Sequence, residues 1–64
     1  MEPILLRVDD AAVAMGIGRT TLYGLLARRE IIPIYIGRRV LVPADEIRGW
    51  VEMQRQAARE AGQP

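Results

Sequence analysis

The triplet Gly16-Ile17-Gly18 limits what this chain can fold into more than any other stretch of its sequence. Glycine reaches the left-handed backbone region at little steric cost, and a residue in that region ends a helix. Gly16 therefore predicts a helix stop, Ile17 an apolar plug in the corner, and Gly18 or Arg19 the start of a second helix. Upstream, Asp9 predicts an N-cap for a helix over about 10–15, its carboxylate accepting from first-turn amides, with Ala12 and Met15 facing inward. Downstream, Leu22, Leu25 and Leu26 recur at three- and four-residue spacing on a helix reaching Arg28 or Arg29. That spacing leaves Thr20, Tyr23, Gly24 and Ala27 on the opposite, outward face.

The next stretch, Ile34-Tyr35-Ile36-Gly37-Arg38-Arg39-Val40-Leu41-Val42, reads as a β-hairpin with two arginines at its tip, bounded by Pro33 and Pro43. A three-residue loop, Gly37-Arg38-Arg39, pairs Ile36 with Val40, Tyr35 with Leu41 and Ile34 with Val42, gathering four β-branched residues on one buried face. A two-residue loop pairs Ile36 with Arg39 and mixes charge into the apolar face, so the longer loop is the expected one. Pro43 suits the first position of a closing helix, with Asp45 and Glu46 near its positive end. Ile47, Trp50, Val51, Gln54, Ala57 and Ala58 follow helical spacing, and Gly62 and Pro64 end the helix. Before the first helix, Glu2-Pro3 lead into Ile4-Leu5-Leu6, an extended stretch expected to pack back on the core. Together these elements predict one domain over 1–64, with a core over about 5–54 and a helix end and tail over 55–64.

A chain of this length holds a single small core. It has neither cysteine nor histidine, which removes disulfides, thiolate zinc sites, thiol nucleophiles, and the commonest general base and metal ligand. The expectation is no catalytic residue, no metal, no cofactor and no small-molecule substrate. No apolar run approaches the roughly 20 residues of a membrane span, and no signal-peptide pattern opens the chain, which predicts a cytoplasmic protein without a membrane partner.

The net charge of +1 conceals a strong asymmetry. Residues 1–17 carry −2 and residues 43–64 carry −1. Residues 18–42 hold Arg19, Arg28, Arg29, Arg38 and Arg39 against Glu30, or +4. A polyanion is the natural partner for such a segment, because neutralising phosphates releases counterions. The adjacent acids Asp9-Asp10 and Asp45-Glu46 read as helix-start residues and not as acid–base pairs, since neighbours on a helix point about 100° apart. The string Gly16 to Thr20 lacks the full spacing of a phosphate loop. Trp50 reads as a core anchor between the last helix and the first two.

Taken in order, Ala11-Ala12, the Gly16-Ile17 corner, Arg19 with Thr21-Leu22-Tyr23, the Ile36-Gly37-Arg38-Arg39 tip and Val42-Pro43 resemble the excisionase-type small DNA-binding domains. These are a branch of the winged helix-turn-helix family related to MerR-like regulators, and the resemblance covers about Leu5 to Glu52. It departs from the family pattern at Gly18, Gly24, Tyr35 and Leu41. It implies a mostly α fold with a β-hairpin wing, in the order α-α-β-β-α. It also implies double-stranded DNA as partner, met by Arg19, Thr20, Thr21 and Tyr23 on the second helix and by Arg38 and Arg39 on the wing. Gly18, Gly24, Arg28 and Arg29 are secondary candidates; the last two also suit a helix C-terminus.

The implied role is an excisionase that shapes an attachment site and directs an integrase toward excision. The alternative is a small transcriptional regulator of a phage, plasmid or integrated element. A reading of another class is a protein-interaction module, recruiting integrase or a second copy through the thin apolar stripe of the C-terminal helix.

Overall fold

A computed structural model describes residues 4–62; the expectations for Glu2, Pro3 and Pro64 lie outside them. The elements are β1 (Leu5–Arg7), α1 (Val8–Met15), α2 (Arg19–Ala27), β2 (Ile34–Ile36), β3 (Arg39–Pro43) and α3 (Ala44–Glu60). This is the expected winged helix-turn-helix order with one added strand. β1 lies antiparallel to β3 with Leu6 opposite Val42, and β3 pairs with β2 on its other side, so the sheet order is β1-β3-β2. The lead-in packs back as expected from Leu5 onward. Ile4 does not join it: its side chain is exposed, and only its carbonyl is engaged, accepting from the Ala44 amide at 2.9 Å.

The core is small and shared among all layers. Val8, Ala11 and Ala12 of α1, Leu22, Leu25 and Leu26 of α2, Ile31 of the loop and Val42 of β3 are buried, with Leu22, Ile31 and Val42 the largest fully enclosed side chains. Leu6, Met15, Ile17, Val40, Ile47 and Trp50 pack against this cluster from its margin. Ile17 is thus the apolar plug of the corner. Trp50 is only half-buried, and its indole Nε1 donates to Glu30 Oε1 at 3.2 Å. It seals one edge of the core without filling its centre.

α1 starts earlier than expected. Arg7 occupies the N-cap in extended backbone without a side-chain cap, and Asp9 lies inside the first turn. The chain leaves β1 directly into the helix because Val8 must reach the core, which draws Asp9 past the capping position. Pro43 is likewise one residue out: it ends β3 and stands as N-cap of α3. Both acids stand in the first turn of α3, as expected, and Glu46 also serves a group outside the helix. Asp45 Oδ1 accepts from the Glu46 amide at 3.1 Å, and Glu46 Oε1 accepts from the Ile32 amide at 2.9 Å, tying the loop before β2 to the helix.

Both helices before the wing end in the same device. Gly16 is left-handed at φ 72°, with its amide donating to Val13 and that of Ile17 to Ala12. At the end of α2, Arg29 takes the left-handed position at φ 62°, with its amide donating to Leu26 and that of Glu30 to Leu25. This pattern of paired bonds closes the last carbonyls of a helix. Arg28 and Arg29 consequently lie beyond α2 and not in its last turn.

The hairpin register overturns the expected pairing. Ile34 faces Leu41, Tyr35 faces Val40 and Ile36 faces Arg39, so the loop is the two-residue Gly37-Arg38. Gly37, at φ 60°, takes the first turn position, where a tight hairpin of this kind wants glycine. The expectation rested on a buried apolar face that β2 lacks, since Ile34, Tyr35 and Ile36 are all exposed. The turn and the pairing of β3 with β1 decide the register instead. Val40 and Val42 keep the inward face, and Ile34 and Ile36 go to the other.

α3 outruns the body. Its side chains over 51–57 are all exposed, and the radius of gyration is 12.5 Å, against roughly 10.7 Å for a compact chain of this length. No helix among the described residues is long and apolar enough to cross a membrane.

Candidate nucleic-acid interface

Arg19 opens α2, one residue after the corner, and Tyr23 follows one turn later on the same face. Arg38 sits in the hairpin turn and Arg39 begins β3. The fold brings these four side chains to one open cleft of about 410 Å³, lined also by Arg7, Val8, Asp9, Val40 and Leu41. Two stretches nearly twenty residues apart in sequence thus present their arginines to a common concavity. The short β1 makes this possible, since its pairing with β3 sets the start of α1 beside the wing.

Within the cleft the arginines differ. Arg19 Nε lies 2.7 Å from Asp9 Oδ1, and its guanidinium carbon stands 5.7 Å from the centre of the Tyr23 ring. The Tyr23 oxygen first and the Asp9 charge second hold the Arg19 guanidinium above its ordinary pKa, so it is a cation at any working pH. Arg7, Arg38 and Arg39 make no ion pair among the described residues. No group of three or more candidate metal-binding side chains occurs among those residues either.

The remaining candidates lie elsewhere on α2. Thr20 and Thr21 are exposed in its first turn, and Gly18 is its N-cap. Gly24 is half-buried; an added Cβ would stand 3.3 Å from Arg28 Nη1. None of these four lines the cleft. Arg28 and Arg29 lie at the far end of α2, about 13 Å along its axis. There Arg28 Nε donates to Glu30 Oε2 at 2.9 Å. Arg28 first and Trp50 second hold the Glu30 carboxyl below its ordinary value, so it is an anion at neutral pH.

Sequence reasoning missed Arg7 and Asp9 as members of this surface. Arg7 belongs to a segment of net negative charge, and Asp9 carries the signal of a capping residue. The available clue was the i to i+10 pairing of a carboxylate and an arginine across a tight helix corner, which becomes meaningful only once the corner angle is known.

The helix-turn-helix domain family matches residues 5–55. Over 44 residues, 69% of the chain, the sequence is 43% identical to a protein of Saccharopolyspora erythraea named probable excisionase, and the chain spans 45% of that relative's length. No solved structure matches the chain.

Proposed function

The chain belongs to the helix-turn-helix domain family, and from that premise we propose that it binds double-stranded DNA with α2 in a major groove and the β2-β3 wing along the neighbouring minor groove. The observation that carries this reading is the single cleft shared by Arg19 and Tyr23 of α2 with Arg38 and Arg39 of the wing. A helix of the size of α2 fits a major groove, and an adjacent cationic ribbon then meets phosphates or the minor groove on the same side of the duplex. Thr20 and Thr21 supply short hydroxyls to base edges or phosphates, Gly18 lets the backbone approach closely, and Gly24 leaves room for the Arg28 side chain. Arg28 and Arg29 have a lesser part, at the far end of the helix.

The biological role we assign is that of an excisionase, a non-enzymatic factor that shapes an attachment site for an integrase. The named relative supports it. Quantitative footprinting of the protein on DNA from its own gene neighbourhood tests it. Protection inside an attachment region beside integrase sites is the expected result; protection confined to a promoter overturns the excision role in favour of transcriptional regulation. Failure to bind any duplex at low salt overturns DNA binding itself.

The distal half of α3 gives this role a means of recruitment. Beyond Gln54 its apolar side chains are the exposed Ala57 and the half-buried Ala58, on a helix that continues to Glu60 past the core. We assign this stripe to integrase or to a neighbouring copy on DNA. Truncation after Met53 is expected to leave the affinity of one copy unchanged and to reduce cooperativity or recruitment.

A further inference from the structure

Among the described residues, Arg19 is the one arginine of the cleft paired with a carboxylate, and the contact is close: 2.7 Å from Nε to Asp9 Oδ1. Both side chains are well exposed, 62% and 65%. A pair in that setting adds little to the stability of a fold. What it does is limit where a long, flexible side chain can point. Tyr23, one turn along α2, stands beside the guanidinium from a second direction. Asp9 comes from α1 and Tyr23 from α2, so the two sides of the corner hold Arg19 between them.

Such a held arginine suits one kind of DNA group better than another. A phosphate would meet a guanidinium already facing a carboxylate and would feel Asp9 as a repelling neighbour. Arg38 and Arg39, with no ion pair among the described residues, are the better phosphate partners. A base edge carries no net charge, so Asp9 does not oppose it. A guanidinium has five N–H donors, more than one carboxylate and one phenol consume. Two parallel donors match O6 and N7 of guanine, the commonest arginine contact in the major groove.

Resting on the DNA-binding reading, we infer that Arg19 reads a guanine in the major groove and that Asp9 is the positioning residue that aims it, with Tyr23 as its side support. Ordering the side chain before contact removes an entropic cost that a free arginine would meet on binding. Asp9 in this role lowers non-specific affinity, because it brings negative charge to the duplex. It raises discrimination at one base.

The test is selection from randomised duplexes with the full chain, its Asp9→Asn, Arg19→Lys and Arg19→Ala variants, and thermal melts of each. The parent is expected to enrich a motif with guanine at one fixed position. Both Arg19 variants should lose roughly tenfold or more of the preference there and keep it elsewhere. Asp9→Asn should flatten the same position while binding random duplex a few-fold more tightly. Replacing that guanine by 7-deazaguanine, which lacks the N7 acceptor, should weaken the parent by a similar factor, and this arm needs no protein variant to fold.

An unchanged guanine preference in a folded Asp9→Asn protein overturns the positioning role. Arg19 variants that flatten no position, a flattened position that is not guanine, or indifference to 7-deazaguanine overturn the base assignment. A parent that binds duplex without enriching any motif overturns the inference and leaves DNA binding standing. A parent that binds no duplex overturns the reading beneath it.

Discussion

The start of α2 and the tip of the wing contribute arginines to the same cleft, yet they hold them by opposite means. Arg19 is fixed by a carboxylate and an aromatic ring, whereas Arg38 in the two-residue turn and Arg39 at the start of β3 have no ion pair among the described residues. Charge alone does not distinguish these three residues. Their surroundings do: an arginine without a counter-ion supplies affinity that any phosphate can satisfy, and a constrained one supplies direction. A surface built from both kinds can meet DNA broadly and still prefer one register.

The comparison breaks most completely if the body that sets the two arms is lost. Leu22→Ala empties a fully buried position and should cost about 2–5 kcal/mol. That approaches the whole stability of a domain of this size, roughly 3–10 kcal/mol. Thermal melting is expected to collapse, with both arms failing together in DNA titrations. A variant that loses its melting transition yet still binds duplex would show that the arms do not depend on the shared core.

Replacing Arg38 and Arg39 by alanine tests the wing by itself. Affinity should fall across all duplex sequences, and the slope of log affinity against log salt should decrease by up to about two, at nearly one unit per phosphate contact. An unchanged slope would remove the contrast between free and held arginines.

The two left-handed helix ends sharpen it by separating geometry from charge. A Cβ at Gly16 would meet nothing within 4 Å, so Gly16→Ala suffers the conformational penalty alone, about 1–2 kcal/mol, read as a lower melting temperature with an unaltered salt slope. Arg29→Gly relieves the same strain and should stabilise by about 0.5–1 kcal/mol. A large loss of DNA affinity in Arg29→Gly would move Arg29 from the margin of the interface to its centre.

The smallest effect concerns the far end of α2, where Glu30 joins Arg28 and Trp50. Its pKa is lowered in the folded chain, so whatever it contributes is complete above the ordinary glutamate value of 4.5 and is lost as pH falls through the lower folded value. Trp50 emission should therefore shift only below pH 4.5, and Glu30→Gln should abolish that shift. DNA binding near neutral pH should be indifferent to the change.

Much of the fold was legible because it follows from local rules. The left-handed Gly16, the inward Leu22, Leu25 and Leu26, the exposed Tyr23 and the long amphipathic α3 each depend on residues within a turn or two of one another. The misreadings share a different origin. Asp9 looks like a cap from sequence, since the pull of Val8 into the core is a tertiary demand. The hairpin register looked decidable from apolar pairing, but β2 has no buried face, so the glycine turn and β1 set it. Ile31 carries no periodic signal, though it is among the largest buried side chains.

By itself the sequence determined the kinds and order of the elements after the first strand and the concentration of positive charge over 18–42, because backbone preference and residue spacing act over short distances. Only the tertiary structure decided which arginines share a surface, that Arg7 and Asp9 belong to it, and that Arg19 is held while Arg38 and Arg39 are not. Those outcomes depend on the angle of the corner and on β1 closing beside β3. Both are settled by the joint packing of Leu22, Ile31 and Val42, residues from three separate parts of the chain.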